Sequence, residues 1–163
     1  MTTKQFNQCV HEYSDRVFGF ALKNMGSEDD AKDIVQEAFE RMWLKHKDID
    51  PSKGKSYLFS TAYHCMIDHH RKVKRMADFT TDEQRVSTFE NDLTNKQWID
   101  EGLRNMTEQE RSLILLRDYE GYSYDELKDL TGLTLSQVKV YLFRARKKFK
   151  DWMVAVNRIN KVI

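Results

Sequence analysis

The sequence predicts an all-α protein with two small helical domains that are joined by a flexible acidic linker. The 163-residue chain contains one Pro and six Gly. It has few runs of alternating β-branched residues, the pattern that is typical of β-strands. Apolar residues instead recur at helical spacing over most of its length. Residues 76–95 lack that spacing, are rich in Thr and carry five acids against one base. We therefore expect domains at 1–75 and 96–163, with the linker at 76–95.

Three helices account for the N-terminal domain. Phe6 to Met25 keep helical spacing, and Gly26 ends this first helix. A second helix is expected at about 28–46 and a third at about 56–75. The third begins with aromatic residues and ends with a basic run. Together the three helices can enclose a small core.

The second helix has two contrasting faces. Its apolar residues recur every three or four positions and predict the face that packs on the core. The opposite face carries an acid followed by polar or acidic residues at i+3, i+4 and i+7, which places them on one side of a helix. These residues, called the acidic stripe below, are Asp33, Gln36, Glu37 and Glu40.

The C-terminal domain contains the pattern of a helix-turn-helix. Ser123 and Glu126 form a capping box, in which a hydroxyl residue is followed three positions later by an acid. Gly132 then breaks this helix, because glycine tolerates the left-handed backbone that other residues resist. Thr134 and Gln137 form a second capping box, which predicts the start of the next helix.

That last helix is apolar on one face and strongly basic on the other. Six basic residues and no acid occur between Lys139 and Lys150. The apolar face comprises Val138, Leu142, Ala145, Phe149 and Trp152. A short helix, a glycine turn and a cationic helix are what reading the major groove of DNA requires. The alternative is an amphipathic surface helix with a solvated charge run.

Charge and cysteine content limit the class of protein. The formal net charge is only +1, but both domains are net basic while the linker is acidic, and local charge governs the attraction of nucleic acid.

Cys9 and Cys65 form no short-range motif, which favours reduced thiols in a reducing compartment. The sequence shows no signal-peptide pattern and no apolar run of about eighteen residues. We expect a soluble, cytoplasmic protein without membrane insertion.

Four stretches, in matching order and spacing, resemble the extracytoplasmic-function (ECF) sigma factors, the minimal two-domain class of bacterial RNA polymerase sigma factor. They are Asp33–Phe39, Lys55–Tyr63, Leu113–Tyr124 and Val138–Arg146, the last ending in Arg-Ala-Arg. The resemblance covers about residues 4–155. It implies a protein that is not an enzyme, needs no cofactor and directs promoter-specific transcription initiation with core RNA polymerase.

The resemblance gives the acidic stripe a partner. In the family, this helix docks on the coiled-coil clamp helices of core RNA polymerase, which assigns polymerase binding to Asp33, Gln36, Glu37 and Glu40. Carboxylates on an exposed face can pair with arginines across such an interface. Without the resemblance, a solvated helix face would be the simpler interpretation.

The resemblance also places the residues that read single-stranded DNA at the −10 element, in the loop after the second helix and along the third. Flipped bases need a pocket and aromatic faces, and the DNA backbone needs cations. The candidates are Lys53, Lys55, Ser56, Tyr57, Tyr63, His64, Arg71 and Lys72. The aromatic residues here could instead belong to the core, and for Phe59 we prefer that interpretation.

The last helix corresponds to the family's recognition helix for the duplex −35 element. The candidates are Ser136, Gln137, Lys139, Val140, Phe143, Arg144, Arg146, Lys147 and Lys148. Val140 favours base recognition through apolar contact and DNA shape. Lys147 and Lys148 are expected to contact phosphates, which adds affinity and salt dependence but little sequence information.

Two other site classes receive little support. His64, Cys65, His69 and His70 invite a metal-site interpretation, but no second cluster supplies the remaining ligands of a closed tetrahedral site. A packed thiol and a cationic helix end are therefore expected there. The sequence also lacks the nucleophile–base order, phosphate loop or paired inward carboxylates that would point to an enzyme.

The main alternative is a stand-alone helix-turn-helix transcriptional regulator. It would bind duplex half-sites by itself as a symmetric dimer, with residues 1–75 as a sensor or dimerisation domain. A sigma factor would instead be a monomer that reads promoter DNA only within polymerase. An interaction adaptor would leave the basic helix unexplained. The resemblance also raises an anti-sigma factor as a further partner.

Overall fold

The structure is a computed structural model that describes residues 1–77 and 95–162. Within those residues it is built from helices, with no strand, which confirms the all-α prediction. The helices are α1 (Thr3–Met25), α2 (Glu28–Lys45), α3 (Gly54–Ala77), α4 (Asn95–Arg104), α5 (Glu108–Ile114), α6 (Tyr124–Thr131) and α7 (Leu135–Val162). Two 3₁₀ turns, His46–Asp48 and Pro51–Lys53, join α2 to α3, and a π-helical turn at Leu115–Tyr119 follows α5.

Helices α1, α2 and α3 pack against one another and form the N-terminal domain. Gly26 ends α1 with a left-handed φ of 69°, as predicted, and the Ser27 hydroxyl caps α2 by accepting a hydrogen bond from the Asp30 amide at 3.4 Å. The predicted apolar face of α2 is buried, with Ala31 and Met42 fully enclosed. Burial of such faces supplies most of the stability of short helices.

Helix α3 is longer than the sequence predicted, because it begins at Gly54 and continues to Ala77. Gly54 is buried, and a Cβ atom there would lie 2.8 Å from Cys9 Sγ. Only glycine therefore allows α3 to start this close to α1. Of the predicted linker, Met76, Ala77 and Asn95 are helical, while 78–94 lies outside the described residues.

The C-terminal domain is organised around α7, which contacts α4, α5 and α6. The apolar face predicted for α7 is buried at Val138, Leu142 and Ala145. Phe149 and Trp152 of α7 pack on Gly102 of α4, where a Cβ atom would approach both rings to 2.8 Å. The absence of a side chain at Gly102 thus fixes how closely α4 and α7 pack.

The two domains also pack against each other, with α3 on α6 and α1 on α5. The Ser60 hydroxyl donates to the Leu130 carbonyl at 2.7 Å, near the end of α6. At the α1–α5 contact, the buried Asn24 accepts a hydrogen bond from the Ser112 hydroxyl at 2.9 Å, and Arg111 donates to the Asn24 carbonyl at 2.9 Å. One hydrophobic cluster runs through both domains. The C-terminal domain therefore covers one face of α3.

Candidate nucleic-acid interface

The helix-turn-helix is formed by α6 and α7 and begins with the predicted capping box. The Ser123 amide donates to a Glu126 carboxylate oxygen at 2.7 Å, and the Glu126 amide donates to the Ser123 hydroxyl at 3.2 Å. Gly132 adopts a left-handed φ of 75° and donates its amide to the Lys128 carbonyl at 2.9 Å. These bonds satisfy backbone groups that helix ends leave free, and they set the turn into α7.

Helix α7 starts with the second predicted capping box. The Thr134 amide donates to the Gln137 side-chain oxygen at 2.9 Å, and the Gln137 amide donates to the Thr134 hydroxyl at 3.2 Å. Gln137 is exposed, but its side-chain oxygen already caps the helix. Contact of Gln137 with a base would therefore use its NH2 group.

The face of α7 opposite its buried stripe presents the predicted −35 residues to solvent. Phe143 is 70% exposed and Val140 is 45% exposed, so this face offers apolar contacts beside its charged groups. The exposed set is Ser136, Gln137, Lys139, Val140, Phe143, Arg144, Arg146 and Lys147. The structure thus brings eight of the nine predicted residues to one side of one helix.

The ninth residue, Lys148, is held by the protein itself. Its ammonium nitrogen lies 2.7 Å from a Glu110 carboxylate oxygen, and the Glu110 side chain is only 3% exposed. Arg146 is partly engaged as well, because it donates to the Tyr124 hydroxyl at 3.3 Å and to Asp118 at 3.4 Å. Both side chains therefore fix α7 on its own domain in addition to presenting charge.

The acidic stripe is accessible along α2. Asp33, Gln36 and Glu40 are exposed, and the Glu37 side chain is 45% exposed. The Gln36 amide donates to Glu40 at 3.0 Å, and Arg41 pairs with Glu37 at 2.5 Å. These bonds lie along the helix, so they order the stripe without covering it.

A groove of about 270 Å³ between α2 and α3 joins two of the predicted sites. Asp33 and Glu37 of the acidic stripe line it, and so do Arg71 and Lys72 of the predicted −10 set. Cys65 lies at the base of the groove, and burial raises the pKa of its thiol to about 11. A thiol with so high a pKa stays protonated and behaves as a packing group, as the sequence predicted.

The −10 candidates differ in their accessibility. Lys53, Ser56 and His64 are exposed and Tyr57 is half-buried. Tyr63 is only 3% exposed in the interior, and Phe59 is fully buried, as expected for a core residue. Stacking of Tyr63 on a base would require movement of the elements that cover it.

Lys55 is engaged by the C-terminal domain. Its ammonium nitrogen lies 3.3 Å from both a carboxylate oxygen and the carbonyl oxygen of Glu120. The same nitrogen lies 4.9 Å above the centre of the Tyr122 ring. Arg16 of α1 pairs with the same Glu120 oxygen at 2.5 Å. Sequence reasoning identified neither Arg16 nor Glu120, because no local pattern links residues so far apart in the chain.

Two histidines of α3 each lie near a different acidic side chain. His69 Nε2 lies 3.9 Å from Asp30, and His70 Nδ1 lies 4.0 Å from Glu108. Burial lowers the pKa of His70, with a smaller opposing effect of Glu108. Across residues 1–77 and 95–162, no three His, Cys, Asp or Glu side chains are placed to hold a metal ion.

The apolar content of the helices bears on membrane contact. Among the described helices, none is both long enough and apolar enough to cross a bilayer.

Two family models match the chain, one on each domain. The model described as Sigma-70 region 2 matches residues 9–76, and the model described as Sigma-70, region 4 matches residues 96–149. The first match contains the acidic stripe and the −10 candidates. The second contains the helix-turn-helix with all nine −35 candidates.

Characterised relatives agree with these matches. The chain is 24% identical over 157 residues to the ECF RNA polymerase sigma factor SigE of Mycolicibacterium smegmatis, and this alignment covers 91% of this chain and 61% of that relative. It is 28% identical over 142 residues to RNA polymerase sigma factor SigV of Bacillus subtilis, and this alignment covers 85% of each protein.

A solved structure shares the fold. It is the sigma factor RpoE from Bartonella quintana in complex with the anti-sigma factor NepR, and it superposes with a TM-score of 0.77 at 20% identity, covering 93% of this chain and 98% of that one. The fold, the two matched regions and the relatives agree, and the chain belongs to the ECF RNA polymerase sigma factors, the class of proteins that directs promoter-specific transcription initiation.

Proposed function

We propose that this chain performs its sigma-factor role through three surfaces, two of which meet in the groove between α2 and α3. The acidic stripe of α2 binds core RNA polymerase, the segment from Lys53 through α3 contacts the single-stranded −10 element, and α7 reads the duplex −35 element. The observation that carries this proposal is the placement of the exposed −35 set along one helix of the C-terminal domain, whereas the acidic stripe lies on α2 of the N-terminal domain.

Electrostatics supports the assignment of the stripe to a protein partner. Its carboxylates are exposed on a helix whose other face is packed, so they add little to the stability of the fold. An exposed acidic helix face attracts basic side chains and repels DNA. The stripe is therefore suited to polymerase rather than to the promoter.

The −10 surface supports a change in domain arrangement during initiation. Tyr63 is buried and Lys55 is paired with Glu120, so these two groups are engaged within the protein. We infer that the C-terminal domain moves off α3 when the chain loads onto polymerase and DNA. An anti-sigma factor, the class of protein bound in the RpoE structure, is a further partner in this proposal.

A binding experiment with the exchange Asp33→Lys and Glu37→Lys tests the polymerase surface. The double variant should lose binding to core RNA polymerase in a pull-down and lose run-off transcription, because its lysines would face the basic groups that the carboxylates met. It should keep its helical circular dichroism, since exposed substitutions usually shift stability by about 0.5 kcal/mol or less.

The matched control changes charge equally at another exposed place. Glu12→Lys with Asp15→Lys alters two exposed acids of α1 and should bind core polymerase as the wild type does. Wild-type affinity in the Asp33/Glu37 variant would refute the assignment of the stripe. A wild-type chain that ignores core polymerase and binds paired duplex half-sites as a dimer would favour the stand-alone regulator.

A further inference from the structure

We propose that Arg16 and Lys55 form a binding site for a backbone phosphate of promoter DNA, and that Glu120 occupies this site in the free protein as an internal competitor. The inference rests on the proposed role of the N-terminal domain in −10 binding, and adds to it Arg16 as a ligand and Glu120 as a latch. The site spans α1, the start of α3 and the turn that precedes α6.

The geometry is that of an anion site. Two cations from different helices converge on one Glu120 oxygen, with Arg16 Nη2 at 2.5 Å and Lys55 Nζ at 3.3 Å. Guanidinium and ammonium groups that share one oxygen acceptor are the groups that bind phosphate oxygens in proteins. The carboxylate thus holds the position that a phosphate oxygen would take.

Burial shows that this is more than a chance surface ion pair. The Glu120 side chain is only 9% exposed, whereas Arg16 is 45% exposed and Lys55 is 24% exposed. A carboxylate so deeply buried needs cationic partners, since an unpaired buried charge is strongly unfavourable. The cations, by contrast, stay close to solvent and become available once Glu120 withdraws.

The neighbours of Lys55 connect the site to the path of the DNA. Lys55 directly precedes Ser56 and Tyr57, two of the residues assigned to the −10 element. Its ammonium group also lies over the Tyr122 ring, which belongs to the C-terminal domain. When that domain leaves, Lys55 loses both Tyr122 and Glu120, and a phosphodiester can replace them as its partner.

The position of Glu120 ties the latch to domain movement. The π-helical turn Leu115–Tyr119 ends with the Glu120 amide donating to the Leu115 carbonyl at 3.2 Å, and Gly121 follows with a left-handed φ of 77°. Such turns occur frequently at functional sites. Because the helix-turn-helix starts directly afterwards, displacement of the C-terminal domain would carry Glu120 away from Arg16 and Lys55.

The test measures binding of a labelled, mixed-sequence single-stranded oligonucleotide to the full-length chain by fluorescence anisotropy over a series of salt concentrations. Sequence is immaterial here, because phosphate contacts carry no base information. Glu120→Gln keeps the shape and removes the competing charge, so it should tighten binding by about threefold to tenfold, the scale of one charge-assisted contact. The control Asp129→Asn changes the net charge equally at an exposed position of α6 and should give a much smaller gain.

Second substitutions identify the ligands. Adding Arg16→Ala or Lys55→Ala to Glu120→Gln should abolish the gain and lower the slope of log affinity against log salt by roughly 0.7 per lost phosphate contact. Adding Lys4→Ala, which removes an exposed lysine of α1, should leave the gain in place. If Glu120→Gln impairs folding, Glu120→Asp serves as the second variant. Its shorter side chain keeps the charge but withdraws it from the two cations, so it should bind the oligonucleotide more tightly than the wild type.

The outcomes separate the possible ligands and the two proposals. No gain in Glu120→Gln over Asp129→Asn, or a gain that survives Arg16→Ala and Lys55→Ala, would overturn the latch. If inorganic phosphate raises the melting temperature of Glu120→Gln while DNA binding is unchanged, the pair serves a free phosphate ligand and the DNA assignment is wrong. A core-polymerase pull-down with the Asp33→Lys and Glu37→Lys variant tests the proposed function separately, since both substituted residues lie on α2, outside the site formed by Arg16, Lys55 and Glu120.

Discussion

The Lys148 ammonium nitrogen lies 2.7 Å from a carboxylate oxygen of Glu110, and this ion pair joins α7 to the first turn of α5. The same Glu110 side chain accepts the Thr107 amide at 3.1 Å in a capping box. One buried carboxylate therefore serves both a helix cap and the attachment of the DNA-facing helix to its domain.

Lys148→Ala should destabilise the C-terminal domain, because it leaves the buried Glu110 carboxylate without its cation. The expected loss is about 1–3 kcal/mol, the range for a hydrogen bond to a charged group when one partner is removed. Lys147→Ala removes an exposed neighbouring lysine and should change stability by less than about 0.5 kcal/mol. Urea unfolding followed by circular dichroism measures both, and equal midpoints for the two variants would contradict the role of the pair.

Gly102→Ala should also destabilise the protein, although alanine is the better helix former. A Cβ atom at position 102 would meet Phe149 and Trp152 at 2.8 Å, and relieving such overpacking costs about 1–3 kcal/mol. Gly19→Ala is the matched control, because no atom lies within 4 Å of a Cβ there. It should stabilise α1 by roughly 0.5–1 kcal/mol. Thermal unfolding that moves both variants in the same direction would show that α4 does not pack on α7 in this way.

Some features of the fold can be predicted from residues that lie close together in the sequence. The capping boxes at Ser123 and Thr134 and the left-handed Gly132 were predicted correctly, because each depends on residues three or four positions apart. The periodic burial of α2 and α7 follows for the same reason. Chemistry and spacing within one element decide such features.

Other features depend on contacts between distant parts of the chain. No local pattern relates Lys55 to Glu120 or Lys148 to Glu110, although the structure pairs them. No local pattern predicts the burial of Tyr63 either. A lysine in a basic run looks the same whether it faces solvent or a buried carboxylate. The sequence therefore predicted the sites as sets of residues, but the domain packing that engages some of them required the structure.

His70 should make stability depend on pH. It lies on α3 facing Glu108, with His69, Lys74 and Arg111 also near, and burial is the main cause of its lowered pKa. Because the folded pKa is lower than the unfolded one, the unfolded chain takes up the proton first as the pH falls. The contribution of His70 is present above the ordinary pKa of 6.5 and is lost as the pH falls through the folded pKa.

Urea midpoints measured at about pH 7.5 and about pH 5.5 test this dependence on either side of the ordinary histidine pKa. The wild type should be less stable at the lower pH, and His70→Gln should reduce that difference. His64→Gln replaces an exposed histidine of the same helix and should keep the wild-type difference. An unchanged pH dependence in His70→Gln would assign the effect to other groups.

Arg144 should set base preference at the −35 element. It is exposed on α7, one turn beyond Val140 and next to Phe143, on the flank that the buried stripe leaves free. An arginine so placed can donate two hydrogen bonds to a guanine edge in the major groove. Arg144→Ala should therefore weaken transcription and relax the preference at one −35 position by roughly 1–3 kcal/mol.

The matched control for Arg144 is Lys147→Ala, since Lys148 is engaged by Glu110 and its loss would also affect the fold. Lys147 is exposed on α7, and a lysine that contacts phosphate contributes equally on every sequence. Its removal should lower activity to the same extent on all promoters and flatten the salt dependence. The measurement is run-off transcription from a series of −35 substitutions with each variant. If Arg144→Ala behaves like Lys147→Ala across that series, Arg144 contacts the backbone, and base recognition belongs to Val140, Phe143 and their neighbours.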